Sequence, residues 1–323
     1  MNRAVKLQRR RSNEKSAGQA VDRRSCFLTA LTAAFAFLTA LTVAVSFLTA
    51  PLSSQTVDSL AIRFSAMTAI TGYEQAVADS LLQLLPGSTR DRMGNVTLAL
   101  GSGAPKRLIS CSIDEVGYAV GNITDEGYLL LRRVGGGARL SPLFDQQLEG
   151  HRVTLFGRKG PVPGVVGVRS THLARGRPGG AATEPPFTVD NALVDVGAAS
   201  RDEVLALGLP LLTPVSLTKR PLRYGNRLVA APNAGRRAAC AALASAALSK
   251  PRARGTVVVA FTVQGLYADS AGLKTVQNLQ GPFAESRLVS VPARFADTAV
   301  ETVALGDVEA LKADIVRWIG GGQ

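Results

Sequence analysis

An apolar run from Lys106 to Cys111 ends in Ser112-Ile113-Asp114-Glu115-Val116-Gly117, which sets two neighbouring carboxylates at the end of a strand. Carboxylates and imidazoles are the groups that hold a pair of catalytic metal ions roughly 3.5–4 Å apart and take a proton from the water between them. The chain is poor in the second kind: its 2 histidines are His151 and His172. Arg236-Arg237 open a helical pattern, a place from which guanidinium groups can donate to a carboxylate or a phosphate. Serine-hydrolase chemistry has no support, because no Gly-x-Ser-x-Gly elbow occurs and His172 has no evident partner. Gly135-Gly136-Gly137 and Gly320-Gly321-Gly322 join no strand to a helix with a lysine, so they are not phosphate loops.

These residues need a scaffold, and the chain can build one: 323 residues at 46% hydrophobic content suffice for a buried core. The formal charge of +13 is concentrated at the start, where residues 1–24 hold eight basic and two acidic side chains. Elsewhere the charge is diffuse and no Lys/Arg stripe alternates with aromatics, so nucleic acid is not an expected partner. From Cys26 to Ala50 the chain carries no charge and repeats Phe-Leu-Thr-Ala. Behind a basic tail this reads as an export signal or, if uncleaved, as an inner-membrane anchor at 26–50; Arg23-Arg24 adds a twin-arginine cue. The expected location is therefore exported, periplasmic or membrane-anchored. Cys111 and Cys240 are too few for a disulfide framework; a bridge between the two is the open alternative without support in the sequence, and each is expected to pack as a small apolar residue.

Helical spacing is expected over Val57–Met67, Glu74–Leu85, Arg236–Leu248 and Asp307–Ile319. Strands are expected at Val96–Leu100, Leu108–Cys111, Val116–Val120, Tyr128–Leu131, Thr256–Val263 and Val289–Val291. Between residues 148 and 217 the chain is rich in Gly and Pro, with short β runs at Arg152–Phe156, Val165–Val168 and Ala192–Val196. That segment reads as a small β-barrel inserted into an α/β domain. The domain reading is a basic tail with leader over 1–55, an α/β domain over 56–135 and 225–323, and an inserted barrel over 136–224.

Landmarks along this order resemble metallopeptidase family 42, the tetrahedral two-metal aminopeptidases that include glutamyl and deblocking aminopeptidases and cellulase M. They are Thr71-Gly72-Tyr73-Glu74, Asp91-x-x-Gly94-Asn95, the strand ending at Asp114-Glu115-Val116-Gly117, Gly164-Val165-Val166-Gly167 followed by His172, and Asp195-Val196-Gly197. The resemblance implies a mixed-sheet, zinc-peptidase-like α/β fold of the phosphorylase/hydrolase type, with an inserted barrel that dimerises. The short stretch between Ala268 and Leu288 implies truncation after the central strand.

The same resemblance implies two zinc or cobalt ions, and every position it assigns to their ligands has changed. The first-strand histidine is Ser112, the bridging aspartate is Gly235, the general base and its neighbouring ligand are Gly265 and Leu266, and the last histidine is Asp297. Asp114, which in the family orients the lost histidine, survives with Glu115. The expectation is a catalytically inactive homologue without metal, acting in binding or assembly as a homodimer through the barrel, with a peptide or a paralogous subunit as further partner. Arg236 and Arg237 are its candidate binding residues. Asp114 and Glu115 are expected as hydrogen-bonded structural groups, and His172 and His151 have no expected chemistry. The alternatives are an active aminopeptidase using Asp114, Glu115 and Asp297 as substitute ligands, and a structural subunit in a mixed oligomer with active paralogues.

Overall fold

Thr56 accepts a hydrogen bond from the Ser59 amide (3.2 Å) and so caps helix α1, Val57–Ser65. Helix α1 and helix α2, Gln75–Leu84, each bury one stripe, Leu60 and Phe64 in the first and Val77 and Leu81 in the second. These residues belong to the computed structural model of the chain, which describes residues 56–135, 142–168, 187–267 and 269–322. The expected leader and anchor at 26–50, Gly136-Gly137 and His172 lie outside the described residues.

Asp91 Oδ1 accepts from the amides of Met93, Gly94 and Asn95, an Asx-type turn that links β1 (Thr89–Arg90) to β2 (Val96–Gly101). Strand β3, Lys106–Ser112, follows, buried at every position between its ends. Next come β4 (Gly117–Ile123), β5 (Leu129–Val134), β6 (Arg152–Gly157), β7 (Gly160–Val166) and β8 (Leu193–Asp195). Helix α3 (Arg201–Ala206), β9 (Pro214–Leu217), β10 (Leu222–Tyr224) and β11 (Leu228–Ala230) lead to helix α4, Ala234–Leu248. Helix α4 is alanine-rich and buried almost all round, the composition that lets a helix approach a sheet closely. Strand β12 (Thr256–Thr262), helix α5 (Ala271–Gln280), β13 (Glu285–Leu288), β14 (Thr302–Ala304) and helix α6 (Leu305–Gly320) complete the chain.

The main sheet runs β1-β2-β12-β3-β13, antiparallel on the β1/β2/β12 side and parallel from β12 through β3 to β13. Such a mixed sheet places β12 at its centre, and its run of Val257, Val258, Val259, Ala260 and Phe261 is accordingly buried on both faces. The register pairs Thr262 with Ser112, so the carboxyl ends of two neighbouring parallel strands open side by side. In sheets of this kind that end is where ligands are taken up.

A closed barrel, β4-β5-β8-β7-β6-β9, buries its own core of Val120, Leu129, Leu131, Val153, Leu155, Val194 and Val215. It includes β4 and β5, which the sequence reading left in the α/β part. The reason is register: β4 pairs with β9 and β5 with β8, so Tyr118, Val120 and Leu131 join the barrel core and not the sheet. Strands β10, β11 and β14 form a separate three-stranded sheet that the sequence did not signal. The expected strand at Val289–Val291 is instead Glu285–Leu288, set parallel to β3.

Candidate functional site

The ends of β3 and β13, the start of α4 and the segment before β14 enclose a cavity of about 360 Å³. Ser112, Gly235, Arg236, Asp297 and Glu301 line it, with Leu288, Val289 and Val291 as an apolar wall. The structure therefore brings together four of the sequence-derived positions, Ser112, Gly235, Arg236 and Asp297. Gly265 and Leu266 stand just beyond them at the end of β12.

Asp114 is fully buried and its oxygens are occupied. Oδ2 accepts from Thr71 Oγ1 (2.8 Å) and from the Leu266 amide (2.9 Å), and Oδ1 accepts from Ser112 Oγ. Arg236 Nη1 stands 3.9 Å from the same Oδ1. Glu115 turns the other way, because neighbours on an extended chain point to opposite sides. Its Oε1 accepts from the Ala69 amide (3.1 Å), and its Oε2 is paired with Lys219 Nζ and with Arg237 Nη2 (2.9 Å). Burial alone would raise the Glu115 carboxyl, but the Arg237 and Lys219 charges beside it hold it below the usual range. Burial, helped by the like charge of Arg237, pushes the Lys219 ammonium down to about 8 in spite of Glu115.

This cluster corrects one candidate. Arg237 is 2% exposed, is paired with Glu115 and donates to the Ile113 carbonyl, so it cannot receive a ligand. Arg236 is the reverse case. Its side chain is 40% exposed and faces the cavity, with the long contact to Asp114 as its ion pair among the described residues. A guanidinium has five donors, so most of its capacity is left for a ligand.

Sequence reasoning missed Glu301 and Glu74. Glu301 is buried, with Oε1 accepting from the Gly235 amide (2.6 Å) and Oε2 from the Asp297 amide (3.2 Å). Burial raises its carboxyl, and the two amides work against that rise. Glu74 accepts from the Gln264 amide (2.9 Å), and burial raises it as well. The signal for Glu74 was present in Thr71-Gly72-Tyr73-Glu74; Glu301 carried none beyond lying four residues after Asp297. Asp297 sits at φ 60° with an exposed side chain. His151 is exposed on the barrel, and its Nδ1 lies 3.0 Å from the Glu149 carbonyl.

The residues do not fit a two-metal centre. Ser112 spends its hydroxyl on Asp114, and the space beside both glycines has been refilled. A Cβ at Gly235 would stand 2.6 Å from Glu301 Oε1. One at Gly265 would overlap Ser112 Oγ and lie 2.9 Å from Asp114 Oδ1. Among the described residues no group of three or more His, Cys, Asp or Glu side chains could hold an ion. Gly265→Glu is therefore expected to destabilise the fold by about 1–3 kcal/mol through overpacking, with like charge added beside Asp114. Thermal unfolding checks this, and an unchanged midpoint would show that room for a carboxylate remains.

The two cysteines behave differently from the expectation that each packs alone. Cys111 on β3 and Cys240 on α4 are disulfide-bonded, with Cα atoms 5.5 Å apart. The spacing of the strand and the helix could not show this, because the pairing depends on how closely alanine-rich α4 lies on the sheet.

The family model for M42 glutamyl aminopeptidases matches residues 94–266. SgcX of Escherichia coli (strain K12), which carries an aminopeptidase name, is 38% identical over 182 residues, covering 54% of this chain and 46% of that protein. The lysyl aminopeptidase of Pyrococcus furiosus is 30% identical over 151 residues, 45% of this chain and 40% of its own. The chain thus spans about half the length of the curated relatives it matches or less. The fold is that of aminopeptidase APDkam598 from the archaeon Desulfurococcus kamchatkensis, with a TM-score of 0.68 at 16% identity over 83% of this chain and 96% of that one. It is also that of the Pyrococcus horikoshii TET1 peptidase, which can assemble into a tetrahedron or a large octahedral shell, with a TM-score of 0.66 at 21% identity over 82% and 99%. The expected exported, periplasmic or membrane-anchored location is corrected: the family match and the aminopeptidase relatives give no support for export. No helix among the described residues is long and apolar enough to cross a membrane.

Proposed function

The chain belongs to the M42 glutamyl aminopeptidase family, and from that premise we propose that it is a catalytically inactive member that binds a carboxylate-bearing ligand, such as a peptide, in the former active-site cavity. The observation that carries this reading is the refilling of the site. Ser112, Gly235, Gly265, Leu266 and Asp297 stand where the family places ligands and base, and Glu301 and Ser112 occupy the room beside the two glycines. Substitute ligation by Asp114 and Glu115 is disfavoured, because Asp114 accepts three hydrogen bonds and Glu115 neutralises two buried cations. A carboxylate on a metal would have to give these up, and the cations would be left unpaired in the interior.

What remains is recognition. Arg236 offers a charge-assisted donor pair at the mouth of the cavity, and Leu288, Val289 and Val291 offer an apolar wall. Dialysis of the purified chain against zinc and cobalt should leave far less than one ion per chain, and aminoacyl arylamides should remain uncleaved. Stoichiometric metal with turnover that Asp114→Ala abolishes would overturn the reading.

The second part of the proposal is self-association through the barrel as a homodimer. On β7 the outward residues Pro161, Pro163 and Val165 are exposed, as is Leu193 on the neighbouring β8, so the barrel carries apolar side chains on its outer face. A stable interface would bury about 1,200–2,000 Å² in total. Sedimentation should give a dimer at micromolar concentration. Val165→Asp should shift it to monomer, and a single monomeric wild-type species at high micromolar concentration would refute the association.

A further inference from the structure

The Cys111–Cys240 bond has a position that a merely stabilising cross-link does not require. Cys111 lies directly before Ser112 at the end of β3 and lines the cavity, while Cys240 lies nearly two turns inside α4, on the helix that carries Gly235 and Arg236. Cys240 Sγ is also 3.5 Å from the Ser112 carbonyl. Both residues are 1% exposed, so the cavity is the route by which a reagent can meet the pair, and it meets Cys111. Arg236 lines the same cavity, and a nearby cation favours a thiolate over a thiol.

We propose that Cys111 and Cys240 form a thiol–disulfide redox site in the cavity floor, opened by low-molecular-weight dithiols and closed by low-molecular-weight disulfides. In the opening direction a reagent thiolate attacks Cys111 Sγ. The bond to Cys240 breaks, and the Cys240 thiolate takes a proton. The second thiol of the reagent then attacks the mixed disulfide, so Cys111 is released as a thiol and the reagent leaves as its own cyclic disulfide. Two electrons pass from reagent to protein, and the closing direction is the reverse exchange with an oxidised reagent. The bond ties the strand that carries Ser112 to the helix that carries Arg236, so its state sets whether the two walls of the cavity are held together. This inference does not depend on the ligand proposed above.

The test uses the full chain, in which Cys26 serves as the reference thiol, with alkylation in denaturant and peptide mapping. As purified in air, Cys111 and Cys240 should resist alkylation. Incubation of the native protein with dithiothreitol should expose both, and oxidised glutathione should protect them again. In the native Cys240→Ala protein, Cys111 should react with methyl methanethiosulfonate at least about tenfold faster than Cys240 does in Cys111→Ala, since Cys111 alone lines the cavity. Three results would overturn the proposal. The first is full alkylation of both cysteines after treatment with oxidised glutathione. The second is a bond that dithiothreitol opens only once denaturant is added, and the third is equal labelling in the two variants.

Discussion

Replacing Glu115 by alanine is expected to destabilise the fold by about 3–5 kcal/mol, the cost of leaving buried charge without its partner. Glu115 pairs with both Lys219 and Arg237, and the three side chains are nearly inaccessible to solvent. Lys219 follows β9 of the barrel, Arg237 belongs to α4, and Glu115 joins β3 to β4, so the cluster bonds the barrel to the α/β layer where the chain passes between them. Glu115→Gln keeps the shape and the hydrogen bond from the Ala69 amide, so it isolates the charge effect. Urea denaturation measures both variants. A loss below about 1 kcal/mol in Glu115→Ala would mean that water reaches the cations and that the cluster is not a buried one.

The same cluster sets a pH dependence whose sign follows from Lys219. Its folded value, about 8, lies below its ordinary 10.5, so between these the unfolded chain binds more protons than the folded one. Stability from this group therefore rises as pH increases through that window, as the surplus cation beside Arg237 loses its charge. Glu115 acts at the other end. Its lowered value gives stability that is present above the ordinary carboxylate value of 4.5 and lost as pH falls through the folded one.

How much of this could be read from sequence depends on whether the signal is local. The alanine-rich helix α4 and the valine run of β12 announce themselves by period and burial, and both lie close to where the pattern put them. Ser112, Gly235 and Asp297 were legible as replaced positions, because each sits at its place in the order of landmarks that the family resemblance supplies, with neighbours such as Asp114-Glu115, Ala238 and Glu301 still in register. The structure brings these three to one cavity. Lys219 was illegible: between Thr218 and Arg220 it looks like any solvated lysine, and only the approach of β9 to Glu115 buries it. Arg237 was misread for the related reason that a helix-start arginine can face either a ligand or the interior, and its direction is decided by Glu115, far away in sequence. The three-stranded sheet of β10, β11 and β14 escaped because each strand has three residues, too short for alternation to show.

Loss of the Cys111–Cys240 bond is expected to have the largest effect of any single covalent change. The two residues are 129 positions apart, and the chain-entropy relation for a closed loop of that size gives about 5 kcal/mol of destabilisation. That is comparable with the whole stability of a typical domain, about 5–15 kcal/mol, so the reduced protein should be marginal at 37 °C, not merely softened. Packing contributes little to the comparison, because reduction keeps both sulfur atoms in place. Urea midpoints of the oxidised and the reduced protein, and of the Cys111→Ala/Cys240→Ala double variant with and without reductant, separate the effects. The oxidised protein should stand alone at high urea, and the reduced and double-variant proteins should unfold together well below it, with the variant indifferent to reductant. If the wild-type midpoint does not move on reduction, the loop is already constrained in the unfolded chain by other contacts. The buried cluster at Glu115 and the refilled glycine sites would then have to hold β3 against α4 without covalent help.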